Sequence, residues 1–205
     1  MNNDKGLLGE YCIYKYLRTL EGERKFLFNC YLPKDDNETT ELDVILIHES
    51  GIYVFESKNY SGWIFGTETD RYWTQTLPAG KGKSHKSRFF NPIMQNKLHL
   101  KWLENYLGED ESLLMSYIVF SDRCTLKDIN LTSGNHRVIN RYDILPELRR
   151  RSGELGKRLS AERIEEIYNK LLPLTKVDEA KKAEHIENIK KKHPPVPQGS
   201  HKNDG

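Results

Sequence analysis

Two apolar segments with embedded acidic residues decide the fold: TELDVILI at residues 40–47 and IYVFESK at residues 52–58. Both are rich in the β-branched and aromatic residues that are typical of strands. The four residues between them, HESG at 48–51, suit a short hairpin loop. We therefore expect an antiparallel pair in which Ile47 lies opposite Ile52.

This register places charged side chains together. Asp43 would lie directly opposite Glu56, with Cβ atoms about 5 Å apart. Lys58, two residues beyond Glu56, points to the same face of the sheet. Two facing carboxylates repel each other unless a cation lies between them, so the hairpin predicts a cation site beside an ammonium group. The alternative is a solvent-exposed strand face on which Lys58 simply pairs with the acids.

The composition indicates a soluble protein of one domain. A chain of 205 residues with 37% hydrophobic and 30% charged residues can bury a sizeable core, and the formal net charge of +2 does not by itself indicate a nucleic-acid binder. We expect a domain at residues 1–175 and a charged, partly disordered tail at residues 176–205. That tail leaves open a further alternative, a subunit that recruits a separate effector.

The cysteines and the apolar runs bear on location. Cys12, Cys30 and Cys124 are far apart and include no C-x-x-C motif, which favours a reducing cytoplasm over disulfides or a cysteine zinc site. No apolar run is long enough for a signal peptide or a membrane span. The expected location is therefore cytoplasmic, without a membrane partner.

The remaining periodicity predicts alternating helices and strands. A first helix begins at Asp4 and runs to about Leu20, with Glu10 on its apolar stripe. Asn91 and Pro92 suit the start of another helix, one face of which is marked by Met94, Leu98, Trp102 and Tyr106. Strands are expected at 26–32, 63–66, 71–75, 113–120 and 138–139, a mobile loop at 78–87, and helices at 142–151 and 160–172.

The candidate site has the oxygen ligands that magnesium prefers. Asp43 and Glu56 would supply a carboxylate pair, and Glu10 would complete the metal site or hold Lys58. Lys58 would position the attacking water or stabilise charge on a phosphate, and Gln95 would bind a phosphate, a metal-bound water or Lys58. The alternatives are that Glu10 reaches solvent and that Gln95 is an ordinary exposed glutamine.

A stretch without acidic residues is the second informative feature. Residues 71–103 contain no Asp or Glu, although about five are expected at the chain average. Basic and aromatic residues are interleaved there, which suits a polyanion held by its phosphates. The candidate nucleic-acid-binding residues are Lys81, Lys83, Lys86, Arg88 and Lys97. The alternative is a solvated lysine loop beside aromatic residues of the core.

Several short motifs occur in a specific order. They are GE at 9–10, ELDVIL at 41–46, GIYVFESKN at 51–59, SGW at 61–63, YW at 72–73 and FNPIMQN at 90–96. In this combination the chain resembles the nuclease-related domain (NERD) family, a branch of the PD-(D/E)xK nuclease superfamily. The resemblance covers roughly residues 6–120, a little over half of the chain.

The resemblance implies an α/β fold in which a mixed β-sheet is flanked by helices, with a restriction-endonuclease-like core. It also implies a magnesium-dependent nuclease site, carried onto Glu10, Asp43, Glu56 and Lys58 with Gln95 as an accessory; Mn²⁺ is an alternative cofactor. One departure is Glu41, where family members often carry a glutamine or a similar polar residue, and its charge would alter metal binding.

The expected function is therefore magnesium-dependent hydrolysis of phosphodiester bonds in DNA, as an endonuclease. The main alternative is a nucleic-acid-binding module of the same fold with little or no cleavage. The sequence does not distinguish DNA from RNA, and it leaves formation of a homo-oligomer open.

Overall fold

A computed structural model describes residues 3–35 and 38–176 together with residue 187, and the side chains from residue 8 onward. Except for residues 176 and 187, the predicted C-terminal tail lies outside the described residues. The helices are α1 (Asn3–Leu17), α2 (Pro92–Leu107), α3 (Ile144–Leu155) and α4 (Ala161–Leu171). The strands are β1 (Arg24–Pro33), β2 (Thr39–His48), β3 (Gly51–Lys58), β4 (Gly62–Thr67), β5 (Tyr72–Gly80), β6 (Lys83–Phe90), β7 (Leu114–Phe120), β8 (Cys124–Asn130) and β9 (His136–Asn140).

The strands form two mixed sheets. The first sheet has the order β1-β2-β3-β7-β9, with antiparallel pairs from β1 to β3 and parallel pairs from β3 to β9. The second sheet has the order β6-β5-β4-β8, in which only the β4–β8 pair is parallel. The predicted α/β class with a mixed sheet flanked by helices is confirmed. The division into two sheets was not predicted.

The first sheet is buried on both faces because helices cover each side. On one face, Ile13 and Leu17 of α1 and Ile144 and Leu148 of α3 pack in one apolar cluster. On the other, a second cluster joins α2, through Leu103 and Leu107, to the inner residues of α4. Each fully buried aliphatic side chain stabilises the fold by about 1.5–3 kcal/mol. This packing makes β2 and β3 a rigid platform for side chains at their ends.

The central hairpin has the predicted register. Ile47 pairs with Ile52, and His48 with Gly51, across a tight turn. Gly51 has a φ of +143°, a value that favours glycine. The His48 ring is 2.7 Å from the Ser50 hydroxyl, which in turn is 2.6 Å from the Tyr53 hydroxyl. These polar contacts fix the turn and, through it, the register.

The helix predictions hold in position but not in every detail. Asn91 caps α2 by accepting the N–H of Ile93 at 2.9 Å, with Pro92 as the first helical residue. The apolar face of α2 is only partly buried: Leu98 is exposed, and the fully buried face includes Asn96 and His99. Apolar periodicity misses this face because two of its members are polar. The first helix ends at Leu17, three residues earlier than predicted.

The predicted mobile loop at 78–87 is also wrong. Residues 78–80 belong to β5, and residues 83–87 belong to β6. The two strands pair from Tyr72↔Phe90 to Gly80↔Lys83. Gly80, Lys81 and Gly82 all have positive φ and reverse the chain. Strand β6 was missed because its outer residues are polar on both faces, so backbone pairing with β5 rather than apolar burial defines it. Strand β8, largely exposed, was missed for the same reason. Among the described residues, no helix is long and apolar enough to cross a membrane.

Candidate active site

The site lies where β2 and β3 separate. The ladder between these strands ends at Val44↔Phe55, one pair before Asp43 and Glu56 would meet. Asp43 Oδ2 instead accepts the backbone N–H of Ser57 at 2.8 Å. This bond anchors the Asp43 carboxylate to β3 between Glu56 and Lys58.

A local irregularity of β2 lies at Asp43. Leu42 and Val44 would share a face in a regular strand, yet Leu42 packs with α2 and α4 whereas Val44 packs with α1 and α3. The neighbouring strand β1 changes face at the same level, at Asn29, which has a φ of +49°. A positive φ is uncommon for a residue other than glycine and is often found at functional sites.

Glu10 joins this region from α1 and is only 7% exposed. The pKa of its carboxyl is raised to about 7, chiefly by burial and further by the charges of Glu41 and Glu56; a hydrogen bond with the Asn29 side chain opposes the shift. Thus Glu41, noted above as a departure, does add negative charge beside the site. Glu41 Oε1 accepts a hydrogen bond from the Tyr31 hydroxyl at 2.7 Å.

Lys58 forms the best-defined contacts of the site. Its Nζ lies 2.6 Å from Glu56 Oε1 and donates to Gln95 Oε1 at 3.0 Å. Burial would lower the pKa of the Lys58 ammonium, but the charges of Glu56, Tyr60 and Asp43 outweigh it, so the pKa is raised. The ammonium is therefore held charged and oriented by β3 and α2 together.

Burial and the charge of Glu56 raise the pKa of Asp43 well above its usual range, while Lys58 acts in the opposite direction. Burial is unfavourable for a carboxylate without a nearby positive charge. A bound cation would supply the positive charge that stabilises the ionised forms of Asp43 and Glu10.

His99 is a neighbour of the site that sequence reasoning missed. Its Nδ1 lies 3.4 Å from Glu56 Oε2, and the residue is 5% exposed. The available signal was spacing, because His99 follows Gln95 by four residues and so shares its side of α2. His99 and Lys58 thus flank the two oxygens of Glu56.

The donor set fits a hard divalent cation. Within the part of the chain that the structure describes, Glu10 Oε2 and Glu56 Oε2 are buried without a hydrogen-bond partner. Buried carboxylate oxygens of this kind are suitable ligands for Mg²⁺, which is commonly held by one or two carboxylates plus water and phosphate oxygens. No three His, Cys, Asp or Glu side chains among the described residues are placed to hold one metal together. A site with two protein carboxylates suits the arrangement better than one with three.

The predicted nucleic-acid-binding residues fall into two places. Four of them, Lys81, Lys83, Lys86 and Arg88, are exposed on the β5–β6 hairpin of the second sheet. The Arg88 guanidinium lies over the Tyr72 ring at 5.4 Å. Lys97 is exposed on α2 and lines a groove shared with Glu68 and His136. The structure therefore groups four of the five residues on one element.

The hairpin is connected to the site through aromatic packing. Phe89 of β6 stacks on Tyr60 with ring centroids 4.5 Å apart, and Tyr60 follows Lys58 by two residues. Ser87 donates to Gln75 Oε1 at 3.2 Å, and Gln75 donates to the Ser61 carbonyl at 2.8 Å. These contacts fix the base of the hairpin beside the end of β3.

A mixed α/β core that presents two acidic residues and a lysine where the β2–β3 ladder ends is consistent with a nuclease-like domain. Comparison with known families agrees: the nuclease-related domain model matches residues 5–121, more than half of the chain, and the chain belongs to this family. It is also 30% identical over 189 residues to an uncharacterized protein from Bacillus anthracis, covering 92% of this chain and 85% of that protein. No solved structure gives a significant match.

Proposed function

We propose that this chain is a metal-dependent nuclease that hydrolyses phosphodiester bonds in DNA as an endonuclease, with Mg²⁺ as its cofactor. One observation carries the proposal. Glu56, 2% exposed, has Oε1 on Lys58 Nζ, whereas Oε2 accepts no hydrogen bond among the described residues and has only the more distant His99 Nδ1, at 3.4 Å, beside it. Such an arrangement is unfavourable for a merely structural acid, whereas a cation would use the second oxygen.

Asp43 and Glu56 would hold the cation, and Glu10, which the sequence predicted to complete the metal site, would instead bind a water held by that cation. A bound Mg²⁺ would supply charge stabilisation for the phosphoryl group and activate water. The proposal that these two carboxylates act together rests on their shared attachment to β3: Glu56 belongs to that strand, and Asp43 accepts the backbone N–H of Ser57.

Lys58 has the geometry of an electrostatic donor. Gln95 and Glu56 hold its Nζ in place, so the ammonium needs little reorganisation when charge develops on a nearby phosphate. Packing of β3 in the first sheet keeps that position fixed. In this mechanism Lys58 stabilises the transition state, and Gln95 is a positioning residue.

The β5–β6 hairpin would hold the nucleic acid by its phosphates. Its four exposed basic residues and the aromatic contacts at its base suit a backbone contact that is independent of base sequence. The proposal of DNA rather than RNA rests on family resemblance, and no contact in the site selects the sugar.

A binding module with little cleavage is the second candidate. The observation that favours it is the absence, among the described residues, of three acidic or imidazole side chains grouped around one metal position. In this alternative, Asp43 and Glu56 would bind cations only weakly, and the function would be nucleic-acid binding by the β5–β6 hairpin.

A substrate panel tests the proposal. The purified chain is incubated with closed circular duplex, linear duplex and single-stranded DNA, and with RNA, each with Mg²⁺, Mn²⁺ or EDTA. We expect cleavage of the circular DNA with Mg²⁺ and none with EDTA. Binding without cleavage under every metal condition would favour the second candidate, and cleavage of linear DNA alone would make the enzyme an exonuclease.

A further inference from the structure

One face of the second sheet packs on the core, and the other points away from it. Ile64 of β4 and Trp73 of β5 belong to an apolar cluster with Ile118 and Phe120 of β7. Because successive side chains of a strand alternate between faces, Trp63, next to Ile64, points to the opposite side of the sheet. We call this side the outer face.

Cross-strand pairing arranges the outer face in two rows, because residues directly opposite each other share a face. Each row contains an aromatic residue on β4, a threonine on β5 and a basic residue on β6: Trp63, Thr76 and Lys86 in the first, and Phe65, Thr74 and Arg88 in the second. The two aromatic residues are two positions apart on one strand, about 7 Å along it. Each row therefore runs from an aromatic ring to a positive charge.

Trp63 is the most accessible ring of this face. It is 44% exposed, whereas Trp73 on the opposite face is fully buried, and Phe65 is half-buried. A single exposed apolar side chain is common on protein surfaces. Aromatic rings that alternate with basic side chains on one sheet are more specific, because this combination binds the unpaired bases and the phosphates of a single strand.

Cations lie over the rings of the outer face. Lys127 Nζ, from β8, is 5.9 Å from the centroid of the Trp63 ring. The guanidinium groups of Arg71 and Arg88 lie 5.6 Å and 5.4 Å from the centroid of Tyr72, which shares this face. Such cations can turn from the ring to a phosphate when a base stacks in their place.

The outer face is basic as well as aromatic. Strands β4, β5 and β6 contain no Asp or Glu, and the edge strand β8 contains one, Asp128, whose Oδ1 accepts a hydrogen bond from the Asn130 amide at 3.0 Å. Lys86, Arg88 and Lys127 are exposed. This charge is complementary to a polyanion.

The face begins close to the active site along the chain. Trp63 follows Lys58 by five residues, which span at most about 18 Å even when fully extended. The start of β4 is anchored, because Gly62 donates its N–H to the Arg123 carbonyl at 3.2 Å and Gln75 donates to the Ser61 carbonyl at 2.8 Å. A strand that has one phosphate at the site can therefore place nearby nucleotides on the first row.

We propose that the outer face of the second sheet, centred on Trp63 and Phe65, binds an unpaired stretch of the substrate strand by base stacking, with its phosphates on Lys86, Arg88 and Lys127. The inference rests on the proposed nuclease function for the identity of that strand as DNA. Bases inside a duplex stack on one another, so only an unpaired stretch can lie on these rings. Closed circular duplex would then be cleaved where its strands separate.

A binding titration in EDTA tests the stacking without cleavage. It uses three probes of equal length: a single-stranded DNA that cannot pair with itself, the same backbone without bases, and the matched duplex. We expect Trp63→Leu to weaken binding of the single strand about tenfold and to change binding of the abasic strand by less than about twofold. The reason is that the change removes the stacking surface and keeps every charge.

Two further variants control this experiment. Trp63→Phe retains a ring and should recover part of the affinity for the single strand. Tyr168→Leu removes an aromatic residue of α4 that also has a lysine over its ring, Lys25 at 5.1 Å, and should bind all three probes like the wild type. Unchanged single-strand affinity in Trp63→Leu would overturn the proposal. So would an equal loss for the single and the abasic strand, or an equal loss in Tyr168→Leu.

Tryptophan fluorescence reports the same contact in the unmodified protein. Trp73 is fully buried and Trp102 packs against the core, so a stacked base should quench chiefly the emission of Trp63. Single-stranded DNA at saturation should quench the wild type and should quench Trp63→Phe much less. Absence of quenching in the wild type would overturn the stacking.

The chemistry of the strand is tested with RNA of the same base sequence. A loss of affinity in Trp63→Leu for RNA but not for DNA would overturn the proposal for a DNA substrate. Binding and cleavage separate the two proposals. Base-dependent binding that requires Trp63, in a chain that never cleaves, would contradict the nuclease function but retain the outer-face site. Metal-dependent cleavage in a chain whose single-strand affinity is unaffected by Trp63→Leu would contradict the outer-face site alone.

Discussion

Glu56 illustrates at the residue scale how the site is built, because its two oxygens face different groups. Oε1 lies 2.6 Å from the Lys58 ammonium, and Oε2 lies 3.4 Å from His99 Nδ1. The side chain is almost fully buried, so neither oxygen depends on bulk water. A cation added here would meet a carboxylate whose position is already fixed.

Lys58→Met separates catalysis from binding. The change keeps the stem of the side chain and removes the ammonium that would stabilise charge in the transition state. We expect cleavage with Mg²⁺ to slow by about a hundredfold or more, which corresponds to about 3 kcal/mol, while DNA affinity stays within a few-fold. Single-turnover cleavage and a binding titration on one substrate measure both effects.

The outcome for Lys58→Met is informative in each direction. Equal loss of binding and cleavage would make Lys58 a ground-state phosphate contact. No loss of either would make it a simple ion-pair partner. Lys157→Met is a suitable control, because that exposed lysine pairs with Glu49 on the far side of the hairpin turn.

Glu10 gives a pH-dependent prediction. Its pKa in the folded, metal-free protein is about 7, against 4.5 for an ordinary glutamate, so the folded state holds the proton more tightly than the unfolded state does. The resulting stabilisation is complete below about pH 4.5 and is lost as the pH rises toward 7. Glu10→Gln should therefore be as stable as the wild type near pH 5 and more stable near pH 8, by on the order of 1–3 kcal/mol.

Chemical unfolding at both pH values in EDTA checks this prediction. Glu154→Gln, a change at an exposed glutamate of α3, should show no such pH-dependent gain. A Glu10→Gln variant that is less stable than the wild type near pH 8 would contradict the buried, cation-free carboxylate inferred here.

At the scale of elements, the β5–β6 hairpin is the element that we propose contacts the substrate. It extends from a base packed against Tyr60 to a turn at Gly80, Lys81 and Gly82. Its outer half carries basic side chains and no acid, so its interaction with a polyanion should be electrostatic.

Neutralising this hairpin should change the salt dependence of binding. Each phosphate contact contributes about 0.9 to the slope of log affinity against log salt concentration for duplex DNA. Replacing Lys81, Lys83, Lys86 and Arg88 by Ser should reduce that slope by several units and leave Mg²⁺ affinity unchanged. Binding titrations over a range of salt concentrations measure the slope.

A matched control removes the same charge elsewhere. Lys25, Arg150, Lys157 and Arg163 each pair with a carboxylate, and their combined replacement by Ser should alter the slope much less. An unchanged slope in the hairpin variant would assign its basic residues to solvent.

The elements also show why sequence reasoning succeeded in some places. The β2–β3 hairpin has continuous apolar strands and a short turn, and the length of that turn fixes the register, which could therefore be predicted. The start of α2 was predictable because Asn91 and Pro92 act locally. Both features were encoded by neighbouring residues.

The remaining features depend on tertiary contacts. Strand β6 is polar and acquires its conformation by pairing with β5, and His99 is buried because it meets Glu56 across the α2–β3 interface. The change of face at Asn29 and Asp43 involves two strands at once. Sequence reasoning singled out Glu10, Asp43, Glu56, Lys58 and Gln95, but not the backbone bond from Ser57 that holds Asp43 in place.

At the scale of the whole molecule, the first sheet lies between two helical layers, and the site forms where the ladder between its inner strands β2 and β3 ends, next to α1 and α2. Each layer supplies a different group: Glu10 from α1, Asp43 from β2, Glu56 and Lys58 from β3, and Gln95 from α2. Only the folded domain assembles this set, so cation binding should stabilise the native state as a whole.

The most direct test of this account is a cleavage time course on closed circular duplex DNA with Mg²⁺, compared among the wild type, Asp43→Asn and the control Asp128→Asn. Asp128 is exposed on β8, away from the β2–β3 end. We predict Mg²⁺-dependent conversion to nicked or linear DNA by the wild type and the control, and none by a folded Asp43→Asn protein. Cleavage by Asp43→Asn at the wild-type rate, or equal cleavage by the wild type in EDTA, would contradict a metal-dependent site at Asp43 and Glu56.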